Sequence, residues 1–234
     1  LVQREGFAVG GICKGSGMIA PNMGTMIALI YTDAAVPAPL LQKELRTAAG
    51  RTFNRVVVDG DMSTNDIALC TATGRAGKVD AKEFTVALEE CCRMLAVQIA
   101  ADGEGATRLL EVTVTGAPAE EDASTVAHTV VASPLVKTAV YGADPNWGRV
   151  IAAAGRAGVD FDPDHVNLWM GDGTARIPLV SDGAIVVDLA KAKALMQGKK
   201  VVFFLDLASG KAEATAWGCD LTEKYVEING RYTT

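Results

Sequence analysis

The sequence predicts an α/β fold in which layers of helices cover a mixed sheet. Short apolar runs of strand length alternate with amphipathic stretches along most of the chain. The longest amphipathic stretch, residues 81–101, repeats apolar residues every three or four positions, which is the period of a helix. The 234 residues are 49% hydrophobic, so the chain is long and apolar enough to bury a sizeable core.

The first half of the chain contains six predicted elements. They are strands over residues 6–12 and 26–31, a helix over 37–49, a strand over 53–58, a short helix over 63–70 and the long helix over 81–101. Pro37 and Pro39 favour a helix start, because proline fits the first helical turn. Ser63 has a side chain that caps helices, which places the short helix after it. Gly103 and Gly105 end the long helix.

The second half of the chain is richer in strands. Predicted strands cover residues 110–114, 166–170, 175–180, 201–206 and 212–218, and predicted helices cover 119–132, 150–157 and 189–197. The tripeptide Ser209-Gly210-Lys211 is typical of a hairpin turn between the last two strands. The composition changes near residues 116–124, where proline and acidic residues cluster, and this is the best candidate for a boundary between two lobes.

Composition and charge argue against several classes of function. The net charge is −6, the longest basic run is the pair Lys199-Lys200, and aromatic residues make up 6%, which disfavours a nucleic-acid partner. No apolar stretch reaches the roughly 20 residues that span a bilayer. Two histidines make a zinc site with the usual ligands improbable. The five cysteines include no Cys-x-x-Cys pair and indicate free thiols in a reducing compartment such as the cytoplasm.

One segment, Lys14–Thr25, has the composition of a functional loop. It contains glycines, one proline and one asparagine in too short a space for a regular element, yet it lies between two apolar strands. It therefore is expected to run through the interior or along a cleft, where glycine lets the backbone approach another group closely. It is not a phosphate-binding loop, because Lys14 precedes the glycines instead of following them.

Thr25 stands at the junction of this loop and the next strand. Its hydroxyl could attack the carbonyl of Gly24, and hydrolysis of the resulting ester would leave Thr25 as a new N-terminus. A free N-terminal amine has an unperturbed pKa of about 7.7–8.0 and can serve as the base that activates the hydroxyl. The alternative is that Thr25 is simply a β-branched residue that starts a strand, and from this residue alone the alternative is favoured.

Three further segments combine polar side chains with turn residues. Glu104 lies between two glycines after the long helix, either as a carboxylate facing a cleft or within a solvated turn. The stretch 144–149, Asp-Pro-Asn-Trp-Gly-Arg, is either a hydrogen-bonding site or a helix cap with a buried tryptophan anchor. The C-terminal stretch 229–234 is either a solvated tail or a clamp on a ligand.

Together these segments resemble one family, the ornithine acetyltransferases, which are bifunctional glutamate N-acetyltransferases. The matching stretches are residues 14–26 (Lys-Gly-Ser-Gly-Met-Ile-Ala-Pro-Asn-Met-x-Thr-Met), 59–66, 102–107, 133–138, 144–149 and the Asn-x-x-Tyr-Thr-Thr end at 229–234. They occur in order and cover nearly the whole chain. Six ordered matches are far more specific than a single short motif.

The resemblance implies a self-cleaving precursor and a ping-pong acetyl transfer. The precursor would cut itself between Gly24 and Thr25, so that residues 1–24 are the end of an α chain and residues 25–234 are the complete β chain. Thr25 would then take the acetyl group of N-acetylornithine, release ornithine, and pass the acetyl group to glutamate to give N-acetylglutamate. This is the cyclic route of arginine biosynthesis, and some family members also use acetyl-CoA as the donor.

The resemblance also implies site residues, partners and a type of fold. Family substrate contacts correspond here to Lys14, Thr25, Glu104, Asn229 and Thr234, and no metal or prosthetic group is expected. The fold would be of the N-terminal-nucleophile-like type, with a nucleophile-bearing lobe over residues 25–120 and a C-terminal α/β lobe over 121–234 that closes the substrate cleft. The α chain would be the protein partner, in cytoplasmic oligomers of αβ units.

The residue types agree with these implied roles. Both substrates carry carboxylates, so a cationic Lys14 near the nucleophile is chemically sensible. Glu104 would hold either the ornithine ammonium or the amine of the nucleophile, and the sequence alone leaves both roles open.

The sequence departs from the family pattern at Gly24, where the family usually has alanine. Glycine permits the strained peptide that an acyl shift needs, but its looseness would slow cleavage. About the first half of the family's precursor, which supplies the oxyanion hole, is missing from these residues, so this chain alone is expected to be close to inactive. Two alternatives stay open: a self-processed N-terminal-threonine amidase or aminopeptidase, and an uncleaved subunit without catalytic function.

Overall fold

The computed structural model describes residues 1–20 and 26–231 of the chain. The chain divides into two compact units, Leu1–Ile99 and Ala100–Thr234, and each combines a sheet with helices. Within the described residues, no helix is both long enough and apolar enough to cross a membrane.

The first unit contains a four-stranded sheet and two long helices. Its elements are β1 Val2–Arg4, β2 Phe7–Lys14, β3 Ile27–Ala34, α1 Ala38–Arg51, β4 Val56–Val57, β5 Ile67–Gly77 and α2 Ala81–Ala101, with a 3-10 helix at Phe53–Arg55 before β4. The sheet order is β1-β2-β3-β5. Strands β1, β2 and β3 pair antiparallel, whereas β3 and β5 pair parallel, since α1 lies in the long connection that returns the chain between them.

Helix α2 covers one face of this sheet, and the helix predicted over residues 81–101 is confirmed. It begins where the Asp80 carboxylate accepts hydrogen bonds from the next turn's backbone amides. Its buried residues recur every three or four positions, at Phe84, Ala87, Leu88, Cys91, Leu95 and Ile99. The contact with β2 is close: a Cβ atom at Gly11 would lie 2.9 Å from Leu95 Cδ1.

The opposite face of the same sheet, called the open face below, is apolar and exposed. Its large apolar residues are between 43% and 68% exposed, and they are Ile12, Ile27, Tyr31, Ile67 and Leu69. Lys14 shares this face, because Lys14 lies opposite Ile27 in the register, and Ile27 lies opposite Ile67. Large exposed apolar patches mark interaction sites on proteins, so this face is a candidate interaction surface.

The second unit contains the remaining elements. They are β6 Leu109–Ala117, α3 Glu120–Val131, α4 Pro134–Tyr141, α5 Trp147–Gly155, β7 Asn167–Gly171, β8 Arg176–Ser181, β9 Ala184–Ile185, α6 Leu189–Leu195, β10 Lys200–Asp206, β11 Ala212–Cys219 and α7 Glu223–Arg231. The strands of this unit follow the order β11-β6-β10-β7-β8-β9. Among the described strands of this unit, β6 and β10 pair parallel and the other neighbouring pairs are antiparallel, and helix α3 packs on β6 and β11. The centre of this core contains fully buried Leu110, Phe203 and Leu205.

Two local predictions in the first unit are wrong. The short helix expected over residues 63–70 does not form: the Ser63 hydroxyl accepts from the amide of Asn65, which closes a turn, and strand β5 begins at Ile67. The strand expected over 53–58 is reduced to β4, because its first three residues form a 3-10 helix. At residues 63–70 a local capping signal gave way to pairing of β5 with β3, whereas at residues 53–55 an apolar signal gave way to a 3-10 helix.

The predicted hairpin at residues 209–211 is also wrong. Strands β10 and β11 are not neighbours, since both pair with β6 from opposite sides. The connection crosses the end of β6, where the amides of Leu207 and Ser209 donate to the carbonyls of Thr115 and Gly116. A glycine-containing turn signal specifies a change of direction and leaves the partner strand undetermined.

Candidate active site

The predicted site residues fall into three groups. Gly24, Thr25 and Thr234 lie outside the described residues, which exclude 21–25 and 232–234. Lys14 belongs to the first unit, and Glu104 and Asn229 belong to the second. The structure therefore gives geometry for three of the five predicted substrate contacts.

Lys14 is the last residue of β2 and is exposed. It lies opposite Ile27, the first residue of β3, so it stands beside the point where the chain resumes after residues 21–25. Its exposed side chain can meet a carboxylate on this largely apolar face.

The loop between β4 and β5 holds the backbone before residues 21–25. The Asp59 carboxylate accepts from the amide of Met18 at 2.7 Å and from that of Ile19 at 3.0 Å. The Ile19 carbonyl in turn accepts from the amide of Val58 at 2.9 Å. Ile19 and Ala20 are buried, so this end of the glycine-rich segment has a defined position.

The same loop holds the backbone after residues 21–25. The Asp66 carboxylate accepts from the amide of Met26 at 2.8 Å, and the Met26 carbonyl accepts from the amide of Ile67 at 3.0 Å. Met26 is 3% exposed. Asp59 and Asp66 thus bind the chain on both sides of the predicted cleavage position. The sequence matched residues 59–66 to the family without giving either carboxylate a role.

Glu104 and Asn229 come together in the second unit. Asn229 Nδ2 donates to Glu104 Oε2 at 2.9 Å across 125 residues of sequence, and also to the Tyr225 carbonyl at 3.2 Å. Glu104 is half-buried and Asn229 is exposed on α7. Both Asn229 amide hydrogens have protein acceptors, so its carbonyl oxygen and the second Glu104 oxygen are the atoms suited to accept from a ligand.

The loop that contains Glu104, residues 102–108, is bound at its base by the stretch before α7. The buried Asp220 carboxylate accepts from the amide of Thr107 at 2.7 Å, from the Thr107 hydroxyl, and from the amide of Arg108 at 3.0 Å. The Thr222 hydroxyl donates to the Gly105 carbonyl at 2.8 Å. Gly105 has a φ of +71°, and a Cβ atom there would lie 2.6 Å from the Tyr225 nitrogen, so only glycine fits.

The segments 133–138 and 144–149 have structural contacts in the second unit. Ser133 caps α4, and Asn146 caps α5 by accepting from the amide of Arg149 at 3.2 Å, as expected for a cap. The Arg149 guanidinium donates to the Leu135 carbonyl at 2.9 Å, which joins the two segments. The expected buried anchor is wrong, because Trp147 is only half-buried.

A tyrosine at the end of α4 reaches the start of α7. The Tyr141 hydroxyl and the Glu223 carboxylate share a hydrogen bond, which raises the pKa of Tyr141 and lowers the pKa of Glu223. The backbone carbonyl of Tyr141 also accepts from the Arg108 guanidinium at 2.7 Å. These contacts add a second connection between α4, α7 and the Glu104 loop.

The cysteines of the first unit have the properties of buried thiols. Burial raises the pKa of Cys70 to about 11, and it also raises the pKa values of Cys13, Cys91 and Cys92. At neutral pH they are protonated, which makes them poor nucleophiles. Across residues 1–20 and 26–231, no group of three or more His, Cys, Asp or Glu side chains could hold a metal ion.

The sequence of the chain is similar to those of known proteins. Residues 1–234 match the ArgJ family. The chain belongs to this family. It is 50% identical to a glutamate N-acetyltransferase of Methanosarcina mazei, over 98% of this chain and 60% of the relative. It is 47% identical to the arginine biosynthesis bifunctional protein ArgJ of Thermotoga neapolitana, over 100% of this chain and 61% of the relative.

A solved structure also matches this member of the family. The crystal structure of the arginine biosynthesis bifunctional protein ArgJ from Bacillus halodurans gives a TM-score of 0.82 at 39% identity, over 88% of this chain and 98% of that one. The predicted resemblance and the predicted α/β fold of the ornithine acetyltransferase type are thereby confirmed. The chain spans about 60% of the length of the curated relatives it matches.

Proposed function

We propose that this chain is the larger part of an acetyltransferase that moves an acetyl group from N-acetylornithine to glutamate in arginine biosynthesis. Relatives of nearly 50% identity are named glutamate N-acetyltransferase and arginine biosynthesis bifunctional protein ArgJ. The observation that carries the proposal is the Glu104–Asn229 hydrogen bond. The family resemblance alone selected these two residues, and the fold brings them together across 125 residues.

Thr25 is the proposed nucleophile, and each half-reaction is an acyl transfer. The Thr25 hydroxyl oxygen attacks the acetyl carbonyl of N-acetylornithine while the N-terminal amine of Thr25 takes the hydroxyl proton. The tetrahedral intermediate collapses, and ornithine leaves with that proton, so that the acetyl group remains as an ester on Thr25. The neutral amine of glutamate then attacks this ester, N-acetylglutamate leaves, and the hydroxyl recovers its proton. These steps need no metal or prosthetic group.

The proposed nucleophile requires cleavage between Gly24 and Thr25. Asp59 and Asp66 support the same proposal, since they hold the backbone on both sides of residues 21–25. Residues 1–24 would then be the end of an α chain and residues 25–234 the β chain, with lobes over 25–120 and 121–234.

The proposed substrate contacts are Lys14, Thr25, Glu104, Asn229 and Thr234. Lys14 is an exposed cation that suits a substrate carboxylate. The Glu104 carboxylate and the Asn229 carbonyl oxygen suit an ammonium group. N-acetylornithine and glutamate offer both kinds of charge.

An α chain is the proposed protein partner. The curated relatives are longer than this chain, which spans about 60% of them. The open face of the first sheet exposes large apolar residues that such a partner would cover. We propose that αβ units assemble further into oligomers in the cytoplasm, where the five cysteines remain reduced.

The test uses the full-length precursor and two variants at the nucleophile. Thr25→Ala removes the hydroxyl, and we expect neither cleavage nor transfer. Thr25→Ser keeps a hydroxyl, and we expect both to persist at reduced rates. Glutamate acetylation is measured with N-acetylornithine and, separately, with acetyl-CoA as donor. Transfer by Thr25→Ala at the unsubstituted rate would overturn the proposal, and acetate release without a requirement for glutamate would indicate an amidase instead.

A further inference from the structure

The structure assigns a positioning role to Asp220, which fixes the loop that presents Glu104. This inference rests on the proposed function, because it takes Glu104 to be a substrate contact. Asp220 does not meet the predicted site itself. It acts through the backbone and the threonine of the loop at residues 102–108.

Asp220 is 3% exposed, and its carboxylate accepts from three donors on two adjacent residues. They are the Thr107 amide, the Thr107 hydroxyl and the Arg108 amide. The two segments are also joined by a backbone hydrogen bond, in which the Asp220 amide donates to the Arg108 carbonyl at 3.1 Å. A buried carboxylate needs such partners, and these fix the base of the loop in one position.

The stretch from Asp220 to Asn229 meets the loop at successive points. Asp220 binds Thr107 and Arg108, Thr222 binds the Gly105 carbonyl, and Asn229 binds the Glu104 side chain. The contacts run in opposite order along the two stretches: Asp220, the first residue of one stretch, binds the end of the loop, and Asn229, the last, binds near the start of the loop. The two stretches therefore lie alongside each other. A shift at Asp220 therefore displaces the Glu104 carboxylate relative to Asn229.

The loop needs this support because its own sequence gives little rigidity. Gly103 and Gly105 permit many backbone conformations, and Gly105 adopts a φ of +71°. Its Cβ position is occupied by the backbone of Tyr225, so loop and helix fit closely only when both are in place. A displacement of about 1 Å in a binding group can lower activity by a large factor.

The same unit contains a matched control at the turn between β7 and β8. The Asp172 carboxylate accepts from the Thr174 amide and hydroxyl, both at 2.8 Å, and from the Ala175 amide at 2.9 Å. Asp220 has the same kinds of donor: the amide and the hydroxyl of one threonine and the amide of the residue after it. Asp172 follows β7 and Asp220 follows β11, three strands apart in the sheet order, or about 14 Å.

The experiment compares Thr107→Val with Thr174→Val in the full-length precursor. Each substitution removes one hydroxyl donor to a carboxylate and keeps the shape of the side chain. We expect Thr107→Val to raise the KM for N-acetylornithine about tenfold, with kcat within about twofold of the unsubstituted enzyme, because about 1.4 kcal/mol of binding is lost. Thr174→Val is expected to leave both parameters unchanged.

The conservative substitution Thr107→Ser separates a positioning role from a general loss of structure. Thr107→Ser restores a hydroxyl and is expected to bring KM back to within about twofold of the original value, while Asp220→Asn is expected to raise KM at least as much as Thr107→Val. An unchanged KM in Thr107→Val, a loss in kcat alone, or an equal rise in Thr174→Val would overturn the inference. If the unsubstituted precursor itself transfers no acetyl group, the proposed function fails, and that outcome is distinct from each of these.

Discussion

Both units use carboxylates to hold a backbone segment, but they do so in different surroundings. In the first unit, half-buried Asp59 and Asp66 accept from amides on either side of residues 21–25, beside the open face. In the second, the buried Asp220 accepts from the loop that contains Glu104. The carboxylate of the second arrangement is buried within its own unit, whereas the first arrangement borders an apolar surface that a partner would cover. We therefore expect substitutions in the first to affect cleavage and substitutions in the second to affect substrate binding.

Each arrangement is expected to depend on the core of its own unit. Phe84 is fully buried beneath the first sheet, where it packs against Phe7 with ring centroids 6.4 Å apart, and Leu110 is fully buried in β6. Phe84→Ala is expected to cost about 3–5 kcal/mol and Leu110→Ala about 2–5 kcal/mol, because each leaves a cavity. Hydrogen exchange should show lost protection first in the unit that carries the substitution. An equal loss of hydrogen-exchange protection in both units, for both variants, would show that the two arrangements do not depend on separate cores.

The next largest effect is expected at Asp66. Asp66→Ala removes the acceptor for the Met26 amide, and a hydrogen bond to a charged group contributes about 1.5–3 kcal/mol. Self-cleavage should therefore slow by about 10- to 150-fold, measured by mass spectrometry as the appearance of the fragment that begins at Thr25. Asp66→Asn keeps an acceptor oxygen and should slow cleavage less.

Asp61 provides the control for that experiment. It is an exposed carboxylate of the same loop, so Asp61→Asn removes one negative charge from that loop, as Asp66→Ala does. Cleavage by this variant is expected at close to the original rate. If Asp61→Asn and Asp66→Ala slow cleavage equally, the effect comes from loop charge and the role given to the Met26 hydrogen bond is wrong.

A smaller effect is expected at the start of α4. Ser133 accepts from the amide of Val136 as a helix cap, at the long distance of 3.5 Å. Ser133→Ala should lower the free energy of unfolding by about 0.5–1 kcal/mol, measured by denaturant titration, while KM stays unchanged. A large rise in KM would mean that the segment 133–138 contributes to binding as well as to structure.

The smallest effect concerns pH dependence at Asp172. Hydrogen bonds from the Ala175 and Thr174 amides and the Thr174 hydroxyl lower the pKa of Asp172 to about 2. A lowered folded-state pKa stabilises the fold above the unfolded value, about 3.9, and that contribution is lost as pH falls toward 2. Carboxyl NMR titration should give a midpoint near pH 2, and Thr174→Val should move it upward. A midpoint near 3.9 in the unsubstituted chain would contradict the assignment.

Periodicity predicted the helix over 81–101, because the apolar residues of this helix repeat along one face. The strand β5 was not, because the cap signal of Ser63 is local, whereas β5 depends on pairing with β3. The pairing of β10 and β11 with β6 was missed for the same reason, since a turn tripeptide does not determine which strands become neighbours.

The candidate site was predictable only in part. The family resemblance selected Glu104 and Asn229, but their contact depends on tertiary structure across 125 residues. Asp66 and Asp220 were missed because a carboxylate that accepts from backbone amides leaves no spacing pattern in the sequence. The nearest available signals were the match at 59–66 and the position of Asp220 directly after the last strand.

The most direct test of the central claim is to trap the acetyl group on the enzyme. The full-length precursor is incubated with N-acetylornithine in the absence of glutamate, quenched in acid, digested and analysed by mass spectrometry. We predict a fragment that begins at Thr25 and carries one acetyl group on the threonine hydroxyl, which disappears when glutamate is added. Full transfer to glutamate with Thr25 unacetylated, or with the bond between Gly24 and Thr25 intact, would contradict the account.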